Sequence, residues 1–508
     1  MKKIKNLLVF FMIAGLVLSC SNDDVIEDKS ASVDNPMALT GDELNSLNSG
    51  QGQELSESEI IDIVTSFQNQ LLENSISYTN EIQTKSLKSK SLTIKDKYYL
   101  GEKSSTKSTS SSNISAPVYE VEISNADGTK GLALVSGDDR FPQIISYIPI
   151  SEAAEDSHLK SEVKVKSRNI GADQMLGLSK ETYKIQLENI VAQQSKKYAT
   201  LEKIAKGLGI NASQVDNNTI EKYVRLYGTN TSLDKYLKDE NSTKSAPSDI
   251  DIRKAAISRG LPCGTLWHQS EPFNYKYDKD YVDILFGMVD YTYPPAGCAV
   301  VAMAQIVAAL APSTMKCYGM QMDWAYLKAS KEIWRYDETR KIDMVSLLYK
   351  DIYVKSKSEP QWGKGQYGWP PVEVDCIVQN GTTSSNVENY FNSASGVTVL
   401  NNGKKMVQWD PELIRQSLFY SFPVFVGGKG HAFVLDEFIC MPIGVTRQLI
   451  KQYDVYFHAN FGWQGSGTGY YLVKDRVNGS ITFETQGEGG DFKDTDLSVL
   501  THIGKKNL

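Results

Sequence analysis

Residues 296–312 read AGCAVVAMAQIVAALAP, a run in which Gln305 is the one polar side chain between Cys298 and Pro312. An alanine-rich run that is apolar on nearly every side predicts a buried helix from Cys298 to Leu310. Cys298 would open this helix, where the helix dipole and unpaired backbone N–H groups favour a thiolate over a thiol. The stretch predicts a helix that carries a nucleophilic sulfur, although a lone cysteine more often packs as a small buried hydrophobe.

A histidine far downstream is a candidate for the base that such a sulfur needs. His431 stands in GGKGHAFV, residues 427–434, at the head of an apolar, strand-like run. Thiol proteases of the papain type separate cysteine and histidine by about 130 to 150 residues, and here the separation is 431 − 298 = 133. Cys298 and His431 are therefore the candidate nucleophile and base.

Two amide side chains complete the candidate site. Asn460, in HANFGW at residues 458–463, lies 460 − 298 = 162 positions after the cysteine and is a candidate to orient the imidazole. Gln269, in LWHQSEPFN at residues 266–274, lies upstream of the cysteine. Its amide would stabilise the oxyanion together with the backbone N–H of Cys298.

Each of these residues also has a purely structural interpretation. A lone histidine such as His431 is more often a core residue, and the glycines before it are typical of a turn. Asn460 would then bond its own backbone at a strand end, and Gln269 would be an ordinary surface residue. The order Gln, Cys, His, Asn favours the joint site, because chance agreement of four roles is much rarer than agreement of one.

These segments together resemble the streptopain (C10) family of secreted bacterial cysteine proteases. The stretches that carry the resemblance are Ala296–Val300 with Ala304–Ile306, Trp267–Asn274, Asp323–Trp324, Gly430–Ala432 followed by Asp436, and Asn460–Trp463 followed by Gly469–Tyr471. The resemblance implies an α+β fold with a papain-like catalytic domain, in which the nucleophile helix packs against an antiparallel sheet.

The resemblance also implies a role for each matching residue. Cys298 would be the nucleophile, His431 the general base and acid, and Asn460 the orienting group. The supporting positions would be Gly297, Phe461 and Trp463. Family members usually carry tryptophan where this chain has Phe461, which shields the histidine and asparagine from water but has no indole N–H to donate.

An upstream segment resembles the inhibitory prodomain that accompanies these proteases. It consists of Val118–Ile123 followed by Gly131–Arg140. The pattern predicts two strands joined by a turn at Asn125 to Gly128, and then a Gly-Asp-Asp loop. Together with the candidate site, the segment implies a zymogen whose prodomain is an intramolecular inhibitor.

The N-terminus predicts export. Residues 1–19 have a basic start, an apolar stretch too short to span a bilayer, and small residues before Cys20. The cleavage site resembles a lipobox, so that Cys20 would be lipidated and would anchor the protein to a membrane. Asn22–Asp24 resembles a signal for the outer membrane surface of a Gram-negative bacterium. The alternative is an ordinary secretory signal with an incidental cysteine.

Composition excludes several other classes of protein. The chain has 508 residues, 41% of them apolar, and a net charge of −7 without a basic patch, which argues against nucleic-acid binding. Five histidines and the lack of Cys-x-x-Cys or His-Glu-x-x-His motifs predict no metal or other cofactor. Export permits, but does not require, two disulfides in any of three pairings among Cys263, Cys317, Cys376 and Cys440.

The chain divides by composition into five parts. They are a signal peptide at 1–19, a flexible tether at 20–53, an inhibitory prodomain core at 54–150, a prodomain extension and maturation linker at 151–254, and a papain-like protease domain at 255–508. Ser56 and Glu59 predict a capping box for a helix. Residues 84–115 are polar and predict a solvated loop, and the extension carries a helix near 180–206. Residues 217–251 predict an exposed, weakly structured linker open to cleavage.

The function predicted from these features is a cell-surface cysteine endopeptidase that hydrolyses proteins and peptides through a Cys298 thioester. The sequence leaves three alternatives open. They are a non-catalytic binding or adhesion lipoprotein on a decayed protease fold, an inhibitor of other proteases, and a transglutaminase-like acyl transferase. Substrate preference would depend on segments such as 355–370, which are rich in Trp, Gly and Pro.

Overall fold

The structure is a computed structural model of the chain. It describes residues 35–47, 52–74, 89–100, 115–126, 128–149, 169–230, 257–284, 288–367, 372–393, 397–400, 405–428, 430–442, 453–473, 482–484 and 491–505. The signal peptide, Cys20 and the tether as far as residue 34 lie outside the described residues. The flexible tether predicted for residues 20–53 is wrong over residues 39–47, which form a short strand, Leu39–Thr40, and a helix, Gly41–Leu47. Leu39 and Leu47 are buried in one apolar cluster, so apolar packing orders this polar segment.

The described residues form both helices and strands. The helices are α1 (Gly41–Leu47), α2 (Glu57–Asn74), α3 (Ile170–Gln193), α4 (Lys197–Leu208), α5 (Asn217–Tyr227), α6 (Cys298–Leu310), α7 (Trp324–Leu327), α8 (Thr339–Lys355), α9 (Ser384–Ser393) and α10 (Pro411–Phe419). The strands are β1 (Leu39–Thr40), β2 (Ser89–Leu100), β3 (Ala116–Asn125), β4 (Lys130–Ser136), β5 (Ile144–Ile148), β6 (Thr229–Asn230), β7 (Ile257–Gly260), β8 (Asp280–Ile284), β9 (Met288–Thr292), β10 (Lys316–Cys317), β11 (Met320–Gln321), β12 (Glu359–Tyr367), β13 (Val372–Gly381), β14 (Val397–Val399), β15 (Val407–Gln408), β16 (Val424–Gly428), β17 (His431–Pro442), β18 (Tyr453–Asn460), β19 (Gly469–Val473), β20 (Thr482–Glu484), β21 (Asp491–Lys493), β22 (Ser498–Leu500) and β23 (Ile503–Lys505).

The helix predicted from Cys298 to Leu310 is confirmed as α6 with the same bounds. Every residue from 299 to 310 is buried, as expected for a run without a polar face. Gly297 precedes the helix with φ 95°, and a Cβ there would lie 2.4 Å from the backbone oxygen of Asn380. Only glycine fits at this position before the helix, because any side chain would strain the backbone and would clash with that oxygen.

The helix packs against one large, mainly antiparallel sheet. Within the described residues the strand order is β15-β22-β16-β17-β18-β19-β5-β4-β3-β2, and β7 pairs with β17. The strand-like run that begins at His431 is β17, which pairs with β16 and with β18. The α+β fold class, with the nucleophile helix on an antiparallel sheet, is therefore confirmed.

The N-terminal strands continue the same sheet. Strand β5 pairs with β19, with Tyr147 opposite Tyr470. A shared core lies beneath this junction, where the ring of Phe67 from α2 lies 5.1 Å from that of Tyr456 in β18. The N-terminal and C-terminal halves of the described chain are therefore joined by backbone pairing and by common apolar packing.

The predicted start of α2 is confirmed by its hydrogen bonds. The N–H of Ser56 donates to Glu59 Oε2 at 2.8 Å, and the inward face of the helix is fully buried at Ile60 and Leu71. The predicted hairpin is likewise found as β3 and β4.

The solvated loop predicted for residues 84–115 is wrong over Ser89–Leu100, which forms β2. This strand pairs with β3 on one side and ends the sheet on the other. Its polar composition suits an edge strand. The segment takes up strand structure because it pairs with β3, which its own sequence does not indicate. Residues 101–114 lie outside the described residues.

The described part of the predicted extension, residues 169–230, is mainly helical. The helix expected near 180–206 is found as α3 and α4, and α3 begins earlier, at Ile170, where Asn169 caps it. The weakly structured linker predicted from residue 217 is wrong over Asn217–Tyr227, which forms α5. Tyr223 and Val224 on its inner face are buried, so apolar packing orders this polar segment. The remainder of the predicted linker, residues 231–251, lies outside the described residues.

The cysteines of the described residues are free thiols. Cys263, Cys317, Cys376 and Cys440 are buried, and Cys298 is partly exposed. In the same part of the chain, no helix combines the length and apolarity that a bilayer crossing would need.

Candidate active site

Cys298 lies in the first turn of α6 beside a cavity of about 350 Å³. His431 and Ala432, at the start of β17, line the same cavity. Burial raises the pKa of the Cys298 thiol, and the backbone N–H groups of Ala432, Ala299 and Cys298 itself act against this rise. The fold therefore brings the candidate nucleophile and base, which are far apart in sequence, to one cavity.

The ring of His431 is held by a backbone oxygen and by aromatic side chains. Its Nε2 atom lies 3.3 Å from the carbonyl oxygen of Phe461. Because a carbonyl oxygen only accepts, Nε2 carries the proton of the neutral ring, and Nδ1 remains as the basic nitrogen. The rings of Phe461 and Trp463 flank the imidazole, with centroids at 6.4 and 6.2 Å.

The electrostatics of the pair favour its neutral form. Burial lowers the pKa of His431 to about 4, against the opposing effect of the hydrogen bond to Phe461. Burial raises the pKa of the Cys298 thiol above 9.0, although three backbone N–H groups act in the opposite direction. Both shifts oppose proton transfer from sulfur to imidazole.

Asn460 lies next to this site, but its side chain bonds elsewhere. Its Oδ1 accepts from Gln305 Nε2 at 2.9 Å and from the N–H of Gly462 at 3.1 Å. Its Nδ2 donates to the backbone oxygen of Thr265 at 2.8 Å. The imidazole contact predicted for this side chain is made instead by the backbone oxygen of the next residue, Phe461. A direct orienting role for Asn460 stays a prediction.

Gln269 lies close to the start of α6. Its backbone oxygen accepts from the N–H of Ala296, two residues before Cys298, at 2.8 Å. Its side chain is half-buried and makes no hydrogen bond within the described part of the chain. The amide is therefore available to a ligand, and its oxyanion role stays a prediction.

One side of the cavity is lined from the hairpin of β12 and β13, in the region expected to shape substrate preference. The amide side chains that line the cavity here are Gln361, Gln379 and Asn380. Apolar side chains also line it, from Val387, Met406 and Phe425. The cavity is thus polar along one side and apolar along another.

The first turn of α3 lies directly on His431, which the sequence did not predict. A Cβ added to Gly171 would lie 2.4 Å from His431 Cδ2 and 2.8 Å from Phe461 Cδ1. Asn169, which caps the helix, donates from Nδ2 to the backbone oxygen of Ser466 at 2.9 Å. The signal for this helix start is Asn169 ahead of an apolar stretch, but no local pattern indicates where the helix docks.

A second polar cluster, which sequence reasoning also missed, is buried between β17 and β18. His458 Nδ1 lies 2.6 Å from Asp436 Oδ1, and Asp436 Oδ2 accepts from the N–H of Cys263 at 2.8 Å. Burial alone would lower the pKa of His458, but the charge and hydrogen bond of Asp436 outweigh it and raise that pKa above 6.5. The described residues contain no cluster of three or more His, Cys, Asp or Glu side chains that could hold a metal ion.

Comparison with known proteins places the site within one family. Residues 267–471 match the Peptidase C10 family. The matched range contains Gln269, Cys298, His431 and Asn460. A search of the curated proteins found no match.

Proposed function

Residues 267–471 form a domain of the Peptidase C10 family, and on that premise we propose that the chain is a cysteine endopeptidase made in a latent form. It hydrolyses protein and peptide substrates through a thioester on Cys298. The observation that carries the proposal is the single cavity that both Cys298 and His431 line.

Acylation uses both candidate residues. In the active state Nδ1 of His431 takes the thiol proton, and the resulting thiolate attacks the scissile carbonyl carbon. The backbone N–H of Cys298 and the amide of Gln269 donate to the oxyanion that forms. The carbon–nitrogen bond then breaks, and the imidazolium gives its proton to the leaving amine. The acyl group remains on sulfur as a thioester.

Deacylation reverses these proton movements with water as the nucleophile. Nδ1 of His431 takes a proton from the attacking water, the carbon–sulfur bond breaks, and the proton returns to the sulfur. The acid product leaves and the thiol is restored. The carbonyl oxygen of Phe461 accepts from Nε2 in both steps, so Nε2 keeps its proton. Nδ1 is therefore the nitrogen that takes up and releases the transferred proton.

Latency comes from the first turn of α3. Gly171 packs against His431, and the burial of that imidazole lowers its pKa to about 4. An imidazole that resists protonation cannot accept the thiol proton at neutral pH, so the covered pair stays inactive. Activation requires α3 to leave, which returns His431 to water.

The blocking element therefore belongs to the extension of the prodomain and not to its hairpin. The prodomain strands join the sheet at β19, whereas contact with His431 comes from α3. A cut within residues 231–256 separates both from the catalytic domain in sequence but leaves the pairing of β5 with β19. Dissociation must follow cleavage before the site opens.

Export as a lipoprotein anchored through Cys20 completes the proposal. The apolar residues 7–16 and the Leu-Ser-Cys ending at Cys20 support it. A cysteine protease anchored through Cys20 would then act at the cell surface, and release of the mature domain would follow cleavage of the linker.

The decisive experiment is Cys298→Ala, compared with Cys317→Ala as a buried free cysteine outside the cavity. The processed wild type and the Cys317→Ala protein should cleave denatured protein and take up a thiol-directed epoxide at Cys298, whereas Cys298→Ala should do neither. Cleavage by Cys298→Ala would refute the assignment. An intact but unlabelled Cys298 in processed wild type would favour the non-catalytic binding or inhibitor alternatives, and transfer to added amines would indicate an acyl transferase.

A further inference from the structure

Gln305 is a buried amide in a helix that is otherwise apolar. It lies on α6, its side chain is completely buried, and its Oε1 has no hydrogen-bond partner among the residues that the structure describes. Burying an amide is costly unless its hydrogen bonds offset the lost hydration, so such a residue in a nucleophile helix needs a physical account. Positions 298, 301 and 305 are spaced i, i+3 and i+7, which places Cys298, Val301 and Gln305 on one helix face.

The amide nitrogen of Gln305 binds the end of β18 and the chain before α6. Gln305 Nε2 donates to Asn460 Oδ1 at 2.9 Å and to the backbone oxygen of Thr265 at 3.4 Å. Asn460 in turn donates from Nδ2 to the same oxygen of Thr265 at 2.8 Å. The three groups form a closed, buried set of hydrogen bonds between the helix, the end of β18 and the chain before the helix.

The turn after Asn460 lies against the same helix face. Gly462 has φ 69°, and a Cβ there would lie 2.5 Å from Val301 Cγ1. The N–H of Gly462 donates to Asn460 Oδ1 at 3.1 Å. Both ends of the turn are therefore held by α6, one through Gln305 and the other through Val301.

Phe461 is the middle residue of this turn, and its backbone oxygen is the partner of His431 Nε2. The position of that oxygen depends on the two residues beside it, because a peptide oxygen has no rotamer of its own. The helix that carries the sulfur thus also sets the carbonyl that orients the imidazole.

We propose that Gln305 is a positioning residue of the reaction, which acts through Asn460 and the backbone oxygen of Phe461 to align His431 with Cys298. The inference rests on the proposed peptidase function. Asn460 takes part by holding the turn through its side chain and leaves contact with the imidazole to the backbone. Losing the Gln305 donor removes one of the two bonds to Asn460 Oδ1 and frees the turn to shift, and a misplacement of about 1 Å costs roughly 100-fold in rate.

Two substitutions and a control test this inference in the full chain after activating cleavage. Gln305→Met keeps the shape and removes the donor, and it should lower kcat about 100-fold with little change in KM. It should also move the acid limb of the pH profile for alkylation of Cys298 by iodoacetamide toward alkaline pH, because a misaligned imidazole no longer supports the thiolate. A thermal melt checks folding.

Gln305→Glu offers a conservative rescue. A protonated Glu carboxyl carries an O–H that donates to Asn460 Oδ1, so activity should recover at acid pH and fall as the carboxyl ionises. If Gln305→Met fails to fold, this pH dependence carries the test. Ser417→Ala is the control. The hydroxyl of Ser417, on α10, donates to the backbone oxygen of Phe422, and its loss should lower Tm with an unchanged pH profile.

Two results would overturn the inference by itself. One is a Gln305→Met enzyme with wild-type kcat and a wild-type alkylation profile. The other is a loss of activity in both Gln305 variants that does not depend on pH and is matched by Ser417→Ala. A processed wild type that neither cleaves peptide nor takes up iodoacetamide at Cys298 would instead overturn the proposed function, and the inference with it.

Discussion

Substituting Gly171 by alanine tests the latency mechanism at a single atom. The added Cβ would lie 2.4 Å from His431 Cδ2, below the separation that Cβ contacts show in folded proteins. His431 cannot easily yield, because its ring is bonded to Phe461 and buried among aromatic side chains. The methyl group must therefore push the first turn of α3 away from the site.

The size of the effect follows from the cost of overpacking. Forcing an extra methyl group into a packed contact costs about 1–3 kcal/mol. At about 1.4 kcal/mol per factor of ten, the ratio of covered to open sites falls by roughly 5- to 150-fold. The open fraction of the uncut chain should rise by the same factor, because the covered form predominates in the wild type.

The assay measures two rates on the uncut chain, whose integrity is checked by gel at each time point. One is alkylation of Cys298 by iodoacetamide at pH 7, and the other is hydrolysis of a peptide substrate. Both should rise within the range calculated above in Gly171→Ala.

Gly207→Ala is a matched control. Gly207 lies in α4, and a Cβ there would lie 2.4 Å from Tyr223 Cε2, an equally close contact away from His431. Gly207→Ala should lose stability and keep wild-type latency. Wild-type rates in a folded Gly171→Ala chain, or an equal rise in both variants, would refute the role of α3.

Two further predictions concern pH. Covering His431 lowers its pKa from 6.5 to about 4, so protonation favours the open state. The free energy that keeps α3 on the site should be largest above pH 6.5 and should fall by at most about 3 kcal/mol as the pH is lowered to 4. The full-length chain should therefore activate faster in acid. An activation rate that is the same from pH 7 to pH 4 would contradict this. For His458 the sign is opposite, because Asp436 raises its pKa and the stabilisation is full below pH 6.5 and lost as pH rises through the raised value. Asp436→Asn should therefore lower the free energy of unfolding, measured with urea, by about 3–5 kcal/mol at pH 6 and by less at pH 9. An equal loss at both pH values would contradict an ion pair between His458 and Asp436.

Local pattern was enough for several elements. The bounds of α6 followed from an apolar run that starts after a glycine and ends before a proline, and the start of α2 followed from its capping box. Strand β2 and helix α5 could not be predicted in the same way. Their sequences are polar, and each is ordered by a partner elsewhere in the chain: β3 for β2, and the apolar cluster around Tyr223 for α5.

Some features of the candidate site could likewise be predicted from the sequence, and others could not. The types, order and spacing of Gln269, Cys298, His431 and Asn460 are visible in the sequence, because nucleophilic chemistry demands particular side chains. The acceptor for the imidazole proved to be a backbone oxygen, at Phe461. A backbone oxygen is present at every position and leaves no signature in a sequence.

The sequence by itself determined which residues could react and which helix would carry the sulfur. Tertiary structure alone decided that Gln305 and Asn460 hold the turn beside His431 and that α3 covers it. Gly171 and His431 are 431 − 171 = 260 positions apart, and their contact depends on the shared sheet and core that dock one half of the chain on the other. Such contacts follow from the shape of packed surfaces, whereas periodicity and capping report only on near neighbours in the chain.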